Sequence, residues 1–388
     1  MAIPLKLSNT FNGFFDSEKS SGILLVVCTA LSFSIANSST GPEYLSLWQR
    51  TAGGMSIEHW INDALMAVFF LLIGLELERE LYVGELSKFR DALLPIFAAV
   101  GGMIAPAVIH FYLNAGTPTQ AGAGIPMATD IAFALGALAL LGSRIPAALK
   151  VFVVAFAVID DLGAILVIAL FYTAELSVWY LAAAVATWAG LVALNRLRVM
   201  SLAPYLIGGA FMWFFMMRSG VHATIAGVAL AFAIPFAAKD KDQASPSHRL
   251  EHLLHKPVAF IILPVFALAN TGIIVDANWL QDLASANSVG IMTGLVLGKP
   301  LGVTFLCAAA VACGVCRLPA DLNWGHVAGA GILGGIGFTM SIFVTQLAFA
   351  GNPDTINASK MAILLASMVA GVLGFVWLRL LSKPGTPA

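Results

Sequence analysis

The sequence predicts an all-α integral membrane protein of about twelve transmembrane helices, and three observations predict it. First, 59% of its 388 residues are hydrophobic and 11% are charged, where an ordinary soluble domain has about 25% charged residues. Second, apolar runs close to the ~20 residues needed to cross a bilayer recur from end to end. Short turns and one longer polar stretch, Ala237–Pro257, separate them. No linker is long enough for a second domain, so residues 1–388 read as a single transmembrane domain. Third, single-residue alternation is absent and unpaired backbone cannot face lipid, which leaves a helical bundle and excludes an outer-membrane barrel.

The elements follow in order. The opening "MAIPLKLSNTFNGFFDSEKSSG" lacks a cleavage pattern and reads as a short amphipathic cytoplasmic lead-in. Spans then begin near Gly22, His59, Ala92, Gly122, Ala147, Val178, Pro204, Val221, Leu250, Val289, His326 and Ile356. The fourth, eighth and eleventh are short or glycine-rich. Sixteen of the 20 Lys and Arg residues fall on one side: Lys6, Lys19, Arg79, Lys88, Arg90, Arg144, Lys150, Arg196, Arg198, Lys239, Lys241, Arg249, Lys256, Arg317, Arg379 and Lys383. Arg50, Arg218 and Lys360 fall on the other. The positive-inside rule then places both termini in the cytoplasm. The remaining basic residue, Lys299, lies within a span.

A net charge of −1 gives no basic surface for nucleic acid. Gly329-Ala-Gly331-Ile-Leu-Gly334 matches a dinucleotide fingerprint on paper, but no strand precedes it; close helix packing explains it better. Gly294-Leu-Val-Leu-Gly298-Lys299-Pro300 is one residue short of a phosphate loop and lacks its Ser or Thr, so no nucleotide partner is expected. His252 and His255 have a metal-like spacing without a further ligand cluster. Cys28, Cys307, Cys313 and Cys316 read as packing residues, and the chain calls for no cofactor.

Chemistry concentrates in four intramembrane charges: Asp130, Asp160, Asp161 and Lys299. Each costs on the order of 2.5–3.5 kcal/mol to insert on the gentlest scale, so each is a functional-site candidate. A static ion pair accounts for one acid and one lysine but not for three acids against one base. Adjacent helix residues lie about 100° apart, so Asp160 and Asp161 cannot face one partner. One can turn to Lys299 and the other to a water-filled path. Burial and Asp–Lys attraction act in opposite directions, which suits groups that bind and release protons near neutral pH.

Two segments carrying breaks accompany these charges. In "GIPMATDIAFALG", Gly124, Pro126 and Thr129 weaken the helix before Asp130; "GGIGFTMSIF", Gly334–Phe343, is the second, with Gly335 and Gly337 at its break. Paired interrupted helices point to a transporter site, since they free backbone carbonyls and charged helix ends. The third to fifth spans, 92–173, and the tenth to twelfth, 288–382, each place a break in the middle helix. An odd count of seven spans relates the two sets, which makes an inverted repeat plausible. The ligands on offer are oxygens, namely carboxylates, the Thr129 hydroxyl and carbonyls, and oxygens suit a small hard cation.

With these residues in view, the sequence resembles the NhaA family of bacterial sodium/proton antiporters, itself a named example of inverted-repeat transporters. The resemblance runs through "ATDIAFALG", "IDDLGAI", "GVHATIAG", "RLEHLLH", "ILPVFALANTG", "GKPLG" and "GIGFTMSIF", in order along nearly the whole chain. It implies a twelve-helix bacterial inner-membrane protein that exports Na⁺ or Li⁺ for more than one proton per cation. It further implies Asp160 and Asp161 as ion and proton carriers, with Asp161 the direct ligand. Lys299 would pair with Asp160 and couple to protons, and Asp130 and Thr129 would sit where the two broken helices cross at the bilayer midplane. Glu76, Arg79 and Glu80, with Glu251, His252 and His255, match a cytoplasmic sensor that activates transport at alkaline pH; Glu78 stands where a base is expected. His222 matches a histidine linked to pH response. Glu43–Gly54, within an outside hairpin over 43–58, matches a region that forms a homodimer interface, and the partial alternation of Tyr44, Ser46 and Trp48 fits strands.

Other classes fit less well. An intramembrane aspartyl protease needs two facing carboxylates, which Asp160 and Asp161 on one helix are not. A passive cation channel conflicts with Lys299 in the path. An organic-anion transporter on a related scaffold is the runner-up, and it calls for more bases and fewer acids at the crossing.

Overall fold

The structure, a computed structural model, describes residues 9–87, 89–173, 176–237 and 245–381. The start of the lead-in and five orienting bases, Lys6, Lys88, Lys239, Lys241 and Lys383, lie outside the described residues. Among the described residues, eight helices are long and apolar enough to span a bilayer: Ile57–Tyr82, Arg90–Leu113, Pro118–Leu141, Ala147–Phe171, Val178–Arg196, Pro246–Asn270, Ala286–Ala312 and Pro353–Leu381. Two interrupted segments raise the number to as many as ten. In one, Ser20–Ala36 is followed by Gly41–Gln49; in the other, Trp324–Gly334 is bent by 48° from Phe338–Ala348.

The other two expected spans are helical but short. Ala203–Ser219 has 17 residues and ends where Gly220 adopts φ 84°. Ile225–Ala231 has 7; a turn precedes it and Pro235 follows, and proline offers no N–H to continue a helix.

The chain divides into two compact units. One contains residues to Asn37, Lys88–Ala164 and Thr271 onward; the other contains Ser38–Ser87 and Ile165–Asn270. In the first, helices approach closely through small residues, as lipid-embedded packing requires. A Cβ on Gly101 would strike the Gly302 backbone and a Cβ on Gly302 the Gly101 backbone, so the Phe89–Leu113 and Lys299–Ala312 helices cross with nothing between them. The two rejected nucleotide motifs are packing devices of this kind. A Cβ on Gly331 would come within 2.8 Å of Pro300 Cα, and one on Gly294 within 2.7 Å of Pro126 Cβ.

The second unit packs around Leu71, Leu75, Leu191, Met212, Leu230 and the fully buried Tyr205, whose hydroxyl donates to the Val199 carbonyl at 3.0 Å. The hairpin predicted within 43–58 is smaller than expected. Thr51 pairs with Ser56 and Ala52 with Met55, across Gly53 and Gly54 at φ 62° and 89°, the geometry of a two-residue type I′ turn. Gly41–Gln49 is a helix, not a strand. Pro42 suits its first turn, and Tyr44 and Trp48, four apart, share one face with ring centroids 5.7 Å apart.

Candidate functional site

The site lies in the first unit, where the broken segments Pro118–Leu141 and Trp324–Ala348 meet. Pro118–Met127 is a 3-10 helix, unusually long for that form. Backbone extends at Ala128 (φ −79°, ψ 151°) and Asp130 (φ −85°, ψ 103°), and the α-helix Ile131–Leu141 follows. Opposite, Trp324–Gly334 gives way at Gly335–Gly337 to Phe338–Ala348. Gly335 and Gly337 keep negative φ; their lack of a Cβ matters because Leu295 lies against both.

Each break repairs the other. Asp130 N donates to the Ile336 carbonyl at 2.6 Å, Thr129 Oγ1 to the Gly334 carbonyl at 2.8 Å, and Ser341 Oγ to the Ile125 carbonyl at 2.7 Å. Backbone groups that a break frees at this depth must find such partners.

Charge at the crossing follows the helix ends. Asp130 Oδ1 accepts from Phe133 N at 3.1 Å, capping Ile131–Leu141. Its Oδ2 accepts from Thr339 N at 3.1 Å and also from the Thr339 hydroxyl, in the first turn of Phe338–Ala348. One carboxylate therefore answers two helix N-termini, where partial positive charge collects. Lys299 does the converse: its Nζ donates to the carbonyl of Met127, the last residue of the 3-10 segment. It also donates to Asp160 Oδ2 at 2.6 Å, and Nζ stands 5.9 Å from the centre of the Phe156 ring. A π-helical turn, Gly294–Gly298, precedes Lys299 and sends its N–H to the Gly294 carbonyl. Such bulges re-aim the residues that follow them.

Asp160, Asp161, Lys299, Thr129 and Asp130 are all buried, none more than 2% exposed. Asp160 takes the lysine's hydrogen bond and has Thr129 beside it. Asp161, one position on, acts on Lys299 through its charge. Sequence reasoning brought these five residues together but missed Thr339. Its signal was a hydroxyl just after the glycine break, where helix N-terminal N–H groups need partners.

In the second unit the expected sensor residues also converge. Arg79 Nε lies 2.9 Å from Glu251 Oε1 and its Nη2 3.3 Å from Glu80 Oε1; His255 Nδ1 is 4.0 Å from Glu76 Oε1. His252 is exposed and acts on His255 through charge. Glu78, the departure, is buried and accepts a 2.8 Å hydrogen bond from Ser247. Ser247 and His248, whose Nδ1 is 3.7 Å from Glu251 Oε2, went unread; the i, i+3 spacing of His248 and Glu251 was the available signal.

His222 sits in the turn between the helices Ala203–Ser219 and Ile225–Ala231. Its Nδ1 is 2.9 Å from Thr224 Oγ1 and its Nε2 3.9 Å from Asp63 Oδ1, and Asp63 is 3.2 Å from His59 Nε2. Burial, helped by His59 and opposed by Asp63, holds the His222 imidazole below the ordinary histidine range.

The chain matches the family described as Na⁺/H⁺ antiporter 1 over residues 12–378. It belongs to that family. Similar curated proteins include a "Na(+)/H(+) antiporter NhaA" of Dechloromonas aromatica (strain RCB), 69% identical over 374 residues and covering 96% of each chain. Another of that name, from Cytophaga hutchinsonii, is 57% identical over 379 residues, 98% of this chain and 97% of its own. A third, from Vibrio campbellii (strain ATCC BAA-1116), is 48% identical over 375 residues and 96% of each. As a member of this antiporter family, the protein is a multi-pass membrane transporter and not an enzyme.

Proposed function

We propose that the protein exports Na⁺, or Li⁺, in exchange for more than one proton per cation, by competition at Asp160 and Asp161 with alternating access. One observation carries this reading: three buried acids, Asp130, Asp160 and Asp161, share the crossing with one lysine. Asp130 is held by the N–H groups of two half-helices and Asp160 by Lys299. Asp161, buried beside Asp160 on the same helix and close enough to act on Lys299 through its charge, is the direct cation ligand that the family resemblance implies, with Thr129 and broken-helix carbonyls as further oxygen donors.

When the site faces the cytoplasm, protons leave the carboxylates and Na⁺ takes their place. Facing outward, it receives protons, which neutralise the carboxylates and release the cation. Lys299 shares in this cycle, because a neutral Asp160 no longer holds the ammonium and the Met127 carbonyl becomes its main partner. Asp130 keeps its hydrogen bonds to both helix ends throughout and compensates their charge. More than one proton inward per cation outward moves net positive charge inward, so an inside-negative potential drives export at about 2.3 kcal/mol per charge per 100 mV.

The inverted repeat of 92–173 and 288–382 supplies the rocking element, and the two breaks support it by lying in corresponding middle spans. The protein works in the bacterial inner membrane with both termini in the cytoplasm, as the basic residues favour, and forms a homodimer through the hairpin region within 43–58. The Glu76, Arg79, Glu80, Glu251, His252 and His255 cluster, with His222 as a further group, activates transport at alkaline pH, as suits histidines whose ordinary pKa is about 6.5. No bound cofactor takes part.

The test uses purified protein in sealed vesicles holding a pH gradient, with lumenal pH followed as NaCl, LiCl, KCl or choline chloride is added outside. Proton movement with Na⁺ and Li⁺ but not with K⁺ or choline is expected. No movement with any cation would overturn the proposal and favour an organic-anion substrate.

A further inference from the structure

A groove of about 670 Å³ runs along the first unit between helix Asn9–Ala36, half-helix Ile131–Leu141 and helix Pro353–Leu381. Its floor reaches the second break, at Ile336 and Phe338, and its rim is open: Ile23 is 53% exposed, Val26 51% and Met368 62%. We propose that the groove is a binding site for one acyl chain of a bilayer phospholipid, seated against the broken-helix crossing.

Chemistry selects the occupant. The walls are almost wholly carbon, and the hydroxyls among the lining residues are engaged inside the fold. Thr29 Oγ1 donates to the Leu25 carbonyl at 2.8 Å, and Ser367 Oγ accepts from Phe338 N at 3.2 Å. A polar solute would lose its hydration and find no partner, which is unfavourable by several kcal/mol. Volume suits a single apolar ligand, since pockets for small molecules run to about 300–1,000 Å³.

Length narrows the choice to a lipid tail. Lining residues extend from Gly22 to Phe33 on one wall and from Met361 to Val372 on another. At 1.5 Å per residue each wall is about 16 Å long. Half of a hydrocarbon core about 30 Å thick is nearly the same, so the groove matches one leaflet's chain. All three walls belong to helices that span or half-span the membrane, so lipid tails are the medium that meets its mouth.

The seat also serves the site. Phe133 and Phe338, whose rings meet edge-on at 4.8 Å, line the groove and stand in the first turns of the half-helices that Asp130 caps. A chain against them backs both rings and keeps the opened backbone of the second break away from disordered lipid and stray water.

The experiment places the full-length protein in phosphatidylethanolamine–phosphatidylglycerol vesicles doped with a phospholipid bearing a diazirine on one acyl chain. After illumination, adducts are mapped by mass spectrometry. Labelling of Val26, Leu140, Leu365 and Met368 should exceed, severalfold per exposed residue, that of Trp179 and Val185, apolar residues exposed on helix Val178–Arg196. Ala137→Phe, which fills the groove, should remove the groove adducts and leave those on Trp179 and Val185. Ala30→Phe, at an exposed position on the rim, should do the same and serves if Ala137→Phe does not fold. Equal labelling of groove and control residues, or groove adducts that persist in a folded variant, would overturn the assignment. Neither readout depends on ion exchange, so the result stands apart from the antiport test.

Discussion

The crossing in the first unit and the Arg79–Glu251 cluster in the second both gather acids and bases on apolar helices, yet they satisfy them in opposite ways. At the crossing, charge is matched to backbone: Asp130 answers two helix N-termini and Lys299 answers a helix C-terminus. In the cluster, side chains answer one another, as Arg79 does with Glu80 and Glu251, and His255 with Glu76. Fixed helix ends hold their partners to one geometry, whereas side-chain partners that titrate can rearrange. The difference fits the proposed division of labour, in which one region carries ions and the other sets the pH at which they are carried.

The comparison breaks most sharply at the carrier acids. Asp161→Asn should abolish Na⁺-triggered proton movement in vesicles while leaving the folded yield intact, because the amide keeps the shape and loses the charge. Normal exchange in that variant would remove Asp161 from the site. Lys299→Ala should lower the midpoint of thermal unfolding, since leaving a buried partner unpaired costs about 3–5 kcal/mol. A midpoint equal to the parent's would mean that Asp160 is not held by this pair.

Capping comes next in size. Thr339→Val deletes one hydroxyl donor to Asp130 but keeps the backbone donor, and a typical hydrogen bond contributes about 0.5–1.5 kcal/mol, more to a charged group. A modest fall in thermal stability is expected, with less effect than Lys299→Ala; a larger one would reverse the ranking of helix-end and lysine contributions. In the second unit, Glu251→Gln and the double replacement of His252 and His255 should move the pH profile of exchange; Glu251→Gln should also lower thermal stability, because Glu251, its side chain 15% exposed, is the nearest carboxylate to Arg79. An unchanged profile would return the cluster to an ordinary helix end.

The smallest effect belongs to His222. Its folded-state pKa lies below that of the unfolded chain, so the unfolded state binds more protons in the interval between them. The stability this contributes is full above the unfolded value, about 6.5, and is lost progressively as pH falls from there through the lower folded value. His222→Gln should flatten the acid side of the stability profile slightly, and a steeper acid loss would contradict the burial account.

Much of this was legible in the sequence because the strongest constraint, lipid, acts on composition. Breaks at Ala128–Asp130 and Gly335–Gly337 announced themselves through glycine and proline in apolar runs, and an acid beside a break implied a helix-end partner. The second member of that arrangement did not show, since Thr339 looks like any threonine in an apolar run until its N-terminus is located. Local alternation misled at Tyr44–Trp48, where a helix and a short strand share the same few residues and Pro42 favoured the helix. The cluster around Glu251 was half read: the resemblance supplied residues on both helices, Glu76, Arg79 and Glu80 on one and Glu251, His252 and His255 on the other. Ser247 and its hydrogen bond to Glu78, 169 positions away, exist only in the folded chain.

Competition between protons and cations at the crossing is tested most directly by counting protons. Purified protein in weakly buffered detergent would be titrated with NaCl and with LiCl, bound cation and released protons being measured together, in the parent and in Asp161→Asn. More than one proton released per cation bound, and none in the variant, is the expected result. Cation binding without proton release would contradict the account.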